Sequence, residues 1–294
     1  MSAIQLLQSP VEEVVSAHLG RAWRASDVRD MADFASRPSV ILSGDGYAVF
    51  SKFSDASDAR EQFEAELDGL RALTALSGVV TPVPIGIYPL ANGHALVLEA
   101  VAEVPRTTRD WRQIGEALAR IHTVRGSAFG YSRPGWFGPL PQDNTPAPDW
   151  PTFFGERRLR PGLRRAVDSG HLPMSLIREL EDVIARLPDL CGPSVAPTLL
   201  HGDAQKNNFI SSPSGPVVID PAIYFGHPEV DLAHIDYFEP VPEGFFDGYR
   251  SLRPIDPGFR GRRGLWRLWG YLACVTVEGR AYLPHVMEAV RLYR

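Results

Sequence analysis

Leu199-Leu200-His201-Gly202-Asp203-Ala204-Gln205-Lys206-Asn207-Asn208-Phe209-Ile210, followed by Val217-Val218-Ile219-Asp220-Pro221, decides how this chain is read. Its apolar pieces are short and separated by polar ones, the pattern of small strands carrying loops at their ends. The first strand delivers His-Gly-Asp into a loop, Asn208 stands five positions after Asp203, and Asp220 closes the next strand. A carboxylate, an amide and a second carboxylate can therefore converge. Phosphoryl transfer needs such a set: one carboxylate to orient the attacking hydroxyl and take its proton, and Asn and Asp oxygens to hold Mg²⁺ on the phosphates. Hard oxygen ligands of this kind suit Mg²⁺ better than zinc.

Outward from this segment, the thirty basic residues include only two lysines, Lys52 and Lys206. Where arginine serves almost everywhere else, a retained lysine points to a place that needs a compact ammonium. Residues 58–76 have a helical period with Phe63, Leu67, Leu70 and Leu73 on one face, and Glu66 falls inside that stripe while Glu61, Glu64 and Asp68 fall toward solvent. A carboxylate aimed at a core needs a cation or a raised pKa. Lys52, near the end of the preceding strand, is the nearest candidate; the alternative is that Glu66 sits at an edge and reaches water.

The remaining pattern predicts a first helix starting at Ser9-Pro10 and closed by Gly20. A hairpin follows from Ser39-Val40-Ile41-Leu42 to Tyr47-Ala48-Val49-Phe50 across Gly44-Asp45-Gly46, and further strands at Val79-Val80 and Leu96-Val97-Leu98-Glu99 flank Asn92-Gly93. Beyond Pro105 the chain reads mostly helical, at 110–124, 149–169 with a kink at Pro161, 175–187, 228–235 and 262–282, with a proline-rich loop over 139–151. The whole is α+β, a β-rich first lobe (residues 1–99) and a larger helical one (residues 100–294).

Composition excludes other classes. The 294 residues are 44% hydrophobic and 22% charged with a net charge of -5, an ordinary globular balance without the basic surface that duplex nucleic acid requires. Two cysteines, Cys191 and Cys274, have neither disulfide-framework nor metal-ligand spacing, and no basic leader or long apolar run is present, so the expected location is the cytoplasm.

His201-Gly202-Asp203-x4-Asn208 with Ile219-Asp220-Pro221 resembles the catalytic loop and metal-binding segment of the aminoglycoside phosphotransferase superfamily, which shares the protein-kinase-like fold. The run Ile219-Asp220-Pro221-Ala222-Ile223-Tyr224-Phe225-Gly226-His227-Pro228-Glu229-Val230-Asp231-Leu232-Ala233 is similar to the signature of the fructosamine kinase family within it. So are Gly135-Trp136-Phe137-Gly138-Pro139-Leu140-Pro141-Gln142-Asp143-Asn144, the stretch 149–159 and the Leu-Trp pairs of 265–282. The likeness covers residues 96–282 well; in the first lobe it rests on Lys52 and Glu66.

The resemblance implies ATP and Mg²⁺ as cofactors, with residues 1–99 as the nucleotide-binding lobe and 100–294 as the catalytic and substrate-binding lobe. Lys52 would contact the α- and β-phosphates and pair with Glu66, the backbone of Glu99 and Val101 would bind adenine, Asp203 would be the base, and Asn208 and Asp220 would hold Mg²⁺. His201 and Asp231 would be structural, orienting the catalytic loop. Lys206, three residues from the base, is expected near the transferring phosphoryl group, and Gln205, Trp136 and Trp150 are expected around the acceptor. Four departures stand out: the first hairpin, Met31-Ala32-Asp33-Phe34-Ala35-Ser36-Arg37-Pro38, lacks the glycine of a phosphate-covering loop, Gln205 replaces the family's tryptophan, Cys274 its last-helix histidine, and Lys206 a small residue.

The expected activity is transfer of a γ-phosphoryl group to a hydroxyl of a small amine-bearing sugar, a ketosamine first of all. The alternatives are an aminoglycoside or other antibiotic as acceptor, a nucleotide-binding pseudokinase, and a metallohydrolase using His201, Asp203 and Asp220.

Overall fold

The strand alternation of the first lobe builds a five-stranded antiparallel sheet in the computed structural model, which describes residues 3–31 and 37–293. Strands β1 (Asp27–Asp30), β2 (Ser39–Gly44), β3 (Tyr47–Ser54), β4 (Pro84–Leu90) and β5 (Gly93–Glu99) pair in the order β1-β2-β3-β5-β4. The β2–β3 turn has Asp45 and Gly46 at φ 49° and 74°, the left-handed pair that matches the twist of a two-residue hairpin. Because side chains alternate, Val49 and Phe53 of β3 face one side with Ala95 and Val97 of β5, while Phe50 faces the other with Leu96 and Leu98. Lys52, at even register with Phe50, lies on that second face.

Helix α1 (Ala3–Leu19) covers the first face with Ala3, Leu7, Val11 and Val15, joined by Trp23. It begins well before the expected Ser9, and Pro10 lies inside it. A buried residue at every fourth position offsets the roughly 3 kcal/mol that an interior proline costs. Helix α2 (Ala59–Ser77) covers the second face with Phe63, Leu67 and Leu70 and ends at Gly78 in the left-handed conformation, φ 69°. Val79-Val80 is not a strand: Val80 makes one parallel bridge to Val217, and the sheet's edge is β4, whose Pro84 and Pro89 suit an edge position.

The second lobe is built on α3 (Thr108–Ile121), which starts with a Thr107/Asp110 capping box. A small hairpin, β6 (Gly135–Phe137) and β7 (Leu140–Gln142), occupies part of the expected proline-rich loop. The helix expected over 149–169 is α4 (Trp150–Phe154) and α5 (Arg160–Asp168) joined by a π-turn, Gly155–Leu159, that re-registers the backbone just before Pro161. Next come α6 (Met174–Ala185), α7 (Leu187–Leu190), strands β8 (Thr198–Leu200), β9 (Phe209–Ser212), β10 (Gly215–Val218) and β11 (Tyr224–Gly226), and helices α8 (Glu229–His234), α9 (Glu243–Arg250), α10 (Phe259–Glu278) and α11 (Leu283–Arg291). β8 pairs with β11 and β9 with β10, so the loop after β8 and the turn after β10 open side by side. The fully buried Leu265, Trp266, Leu268, Trp269 and Leu272 make α10 the spine of the large core. Among the described residues no helix is long and apolar enough to cross a membrane.

Candidate active site

The loop after β8 is bent tightly enough that only glycine fits its centre. Gly202 has φ +82°, and a Cβ there would run into the carbonyl oxygen of Ala222. Ala222 N–H donates to His201 O at 2.8 Å, locking the two corners together. His201 uses both ring nitrogens on backbone: Nδ1 accepts from Asp203 N–H at 3.2 Å and Nε2 meets Ile219 O at 2.9 Å. No lone pair remains for a metal, so the metallohydrolase arrangement loses its histidine.

Beneath this loop the buried Asp231 of α8 accepts from the amides of His201, Oδ2 at 2.7 Å, and Gly202, Oδ1 at 3.0 Å. His122, at the end of α3, approaches Oδ2 at 3.0 Å with Nε2 and receives Tyr249 of α9 on Nδ1 at 2.7 Å. Burial pushes the Asp231 carboxyl up, but the His122 hydrogen bond and the surrounding imidazoles bring it below the ordinary carboxylate value. Burial holds the His122 pKa down, consistent with a neutral ring that donates to Asp231 and accepts from Tyr249. His122 and Tyr249 carry no motif of their own in the sequence. Their burial on the inner faces of helices 109 or more residues from their partners is visible only in the fold.

Asp203 projects from the loop with Gln205 Nε2 at 2.8 Å from its Oδ1, and Asn208 Nδ2 caps its backbone oxygen at 2.7 Å. Burial raises its pKa to about 7; the Gln205 hydrogen bond works against that, and the charges of Asp220 and Asp231 add to it. Asp220 sits two residues past β10 with φ 50°, a left-handed conformation unusual for a non-glycine residue.

Across the cleft Lys52 Nζ lies 2.7 Å from Glu66 Oε2 and 2.8 Å from Asp220 Oδ1. The helical-wheel expectation for Glu66 thus matches the geometry, with both side chains of the pair nearly enclosed. Burial opposes the lysine charge, yet Asp220 and Glu66 together raise its pKa above the ordinary lysine value; burial lifts Glu66 and the ammonium pulls it back.

These groups border one cleft of about 720 Å³ between the sheet and the β8 loop. Its walls combine Ile41, Phe50, Leu98 and Val101 with Lys52, Glu66, Asp203, Asn208 and Asp220. Glu99 N–H is taken by Val83 O at 2.9 Å, and its side chain accepts from Tyr47 OH at 3.0 Å. Val101 N–H has no backbone partner among the described residues and borders the cleft. Trp136 of β6 borders it too and donates to Asp58 Oδ2 at 3.0 Å.

Two expected site residues lie elsewhere. Trp150 is 4% exposed, packed among Phe153, Phe154 and Trp266 in the large core, and offers no face to an acceptor. Its aromatic neighbours one helical turn on draw it inward, as the apolar sequence of α4 dictates. Lys206 turns away from the cleft, pairs with Glu239, and borders a second cavity of about 240 Å³ on the far side of the β8 loop. The glycine-free hairpin lies largely outside the described residues, at 32–36. At its described edge Arg37, which reading by motif missed, faces the cleft and donates to Gln62 Oε1.

A sequence model of the fructosamine kinase family matches residues 7–293. The chain is 30% identical over 289 residues to a probable ketoamine kinase of Synechocystis, covering 96% of this chain and 95% of that one. It superimposes on the crystal structure of a fructosamine-3-kinase candidate from Thermobifida fusca with a TM-score of 0.85 at 33% identity, over 98% of this chain and 99% of the other. A thermostable mutant of an aminoglycoside phosphotransferase shares the fold at a TM-score of 0.61 and 16% identity, over 95% of this chain and 98% of the other. With its two-lobed protein-kinase-like architecture, this chain belongs to the fructosamine kinase family and is a small-molecule kinase.

Proposed function

We propose that this kinase transfers the γ-phosphoryl group of ATP, with Mg²⁺, to a hydroxyl of a ketosamine. The observation that carries the reading is Asp203, a carboxylate whose pKa is lifted to about 7, facing the same cleft as the paired Lys52 and Asp220. A general base works best when its pKa lies near the working pH. The donor set suits the cofactors: an ammonium anchored between two carboxylates, hard oxygens on Asn208 and Asp220, a Val101 N–H without a backbone partner among the described residues at an apolar wall, and a cleft of nucleotide size. When bound, ATP would supply the phosphoryl group and Mg²⁺ would offset its charge; Lys52 would hold the phosphates, Asn208 and Asp220 the metal, and the backbone of Glu99 and Val101 the adenine.

The chain's own residues do the rest. Asp203 orients the acceptor hydroxyl and takes its proton, Gln205 fixes the carboxylate rotamer, Glu66 holds Lys52 in place, and Asp231 with His201 keeps the loop in register. Trp136 flanks the acceptor. Residues 1–99 serve as the nucleotide lobe and 100–294 as the catalytic lobe, a division supported by the apolar clusters on the two faces of the sheet, which draw only on residues before 100, although Leu73 of α2 and Val79 just after it join the cluster around α10. Two buried free cysteines support a reducing compartment, the cytoplasm.

A coupled ADP-release assay over ketosamines, ribosyl-amines, free sugars and aminoglycosides tests this. Turnover of ketosamines is expected. Turnover confined to aminoglycosides would transfer the assignment to the antibiotic alternative, and nucleotide binding without any turnover to the pseudokinase.

A further inference from the structure

The second cavity adjoins the first through Gln205 and Asn207, which border both. Asp203 itself faces the first cleft, but Gln205, whose Nε2 stands 2.8 Å from Asp203 Oδ1, lines the second cavity as well, so that cavity opens one side chain away from the assigned base. Its charged wall is a single ion pair, Lys206 with Glu239. Lys206 is 27% exposed and Glu239 68%, so the two charges sit at the mouth within reach of a solute. Behind them the buried His234 has its pKa pushed down to about 4 by desolvation and adds no charge. Phe238, 51% exposed, lies edge-on to Tyr237 and Tyr282 and extends the mouth as an apolar ledge.

One fixed cation beside one fixed anion is the complement of a zwitterion. An exposed pair of this kind is held only marginally by its own attraction and exchanges readily for better-placed partners. A ketosamine formed on a free α-amino acid carries a secondary ammonium and, one carbon away, a carboxylate; both would find a partner here while the sugar runs past Gln205 toward Asp203. A ketosamine on a protein lysine has no carboxylate at that distance. We infer that the Lys206–Glu239 pair is an acceptor-recognition site that selects ketosamines of free amino acids, Lys206 binding the carboxylate and Glu239 the ammonium. The inference rests on the ketosamine reading above and deepens it.

The test compares two near-isosteric acceptors, the fructose adducts of glycine and of glycinamide, which differ by the carboxylate charge, in the ADP-release assay with the full chain. The expected result is at least a tenfold higher kcat/KM for the glycine adduct, carried by KM. In Lys206→Met that ratio falls toward one, and in Lys206→Arg, which keeps the charge, it is largely retained. Equal turnover of the two adducts by the unmodified chain, or a ratio that survives Lys206→Met, overturns this inference alone. Turnover of neither adduct nor any other ketosamine overturns the underlying reading and this one with it.

Discussion

Gln205 Nε2 stands 2.8 Å from Asp203 Oδ1, so the carboxylate assigned as base is held by an amide two positions along the same loop. That bond favours the ionised form and opposes the burial that lifts the pKa to about 7. Gln205→Ala should therefore raise the Asp203 pKa further, by roughly half a unit to one unit, and leave its rotamer unrestrained. A carbon-13 titration of the metal-free chain reads the midpoint. Turnover at neutral pH should fall about tenfold with the ATP Michaelis constant little changed. An unmoved midpoint would remove the amide from the mechanism.

Asp203→Asn should lower turnover by about 10²-fold or more while ATP affinity stays nearly intact, since the base goes and the nucleotide contacts remain. It should also change stability in a pH-dependent way. The folded pKa, about 7, lies above the ordinary value of 3.8, so folding favours the protonated form. The associated stability is present below 3.8 and is lost as pH rises through 7. The asparagine variant should then melt higher than the parent at pH 8, by up to about 4 kcal/mol at full burial and less with the partial exposure of this side chain, and converge with it near pH 4. Equal melting at pH 8 would contradict the desolvated base.

The arrangement of this candidate site was legible where it depended on local order along the chain. Asp203, Asn208 and Asp220 lie within eighteen residues, in the loops that follow two short strands, and Glu66 betrayed itself by its position on a helix face. The hairpin at Asp45-Gly46 was legible because left-handed turns have a narrow vocabulary. What depended on packing between distant segments was not. The brace of His122, Asp231 and Tyr249 joins three helices, and nothing in 110–124 distinguishes His122 from a surface histidine before α3 docks on α9. Pro10 misled the reading because a proline looks like a helix start until the buried stripe on both sides of it is known. Trp150, read as a loop tryptophan free to stack on an acceptor, misled it because it opens α4 and packs into the core, and Lys206 misled it because closeness in sequence to the assigned base says nothing about which way a side chain turns.

Asp220 contacts Lys52 directly and is the side chain assigned to Mg²⁺. Asp220→Ala should abolish the Mg²⁺-dependent part of ATP binding, measured by calorimetry with and without the cation. Lys52 would keep its second partner, Glu66 at 2.7 Å, so the fold should survive. ATP affinity that stayed equally metal-dependent would show the assignment to be wrong.

The brace under the catalytic loop predicts a graded series. Asp231 is fully buried and accepts from the amides of His201 and Gly202 and from His122. Replacing it with asparagine keeps the volume but puts an N–H₂ where donors already point, so at least one of the three contacts is lost and one loop amide is left unsatisfied. Breaking a buried charged network in this way costs on the order of 3–5 kcal/mol, which lowers the melting temperature by roughly 10 °C in a chain of this size. Tyr249→Phe removes only the hydroxyl that donates to His122 Nδ1 and leaves one buried acceptor unpaired, a loss of about 1–3 kcal/mol. His122→Gln should fall between the two, since an amide can still donate to Asp231. Thermal unfolding of the three variants checks the order. Turnover should fall in the same order with ATP affinity retained, because each step loosens the loop that positions Asp203 without touching the nucleotide wall. A Tyr249→Phe variant less stable than Asp231→Asn would mean that the support of the loop runs through α9 rather than through the Asp231 carboxylate.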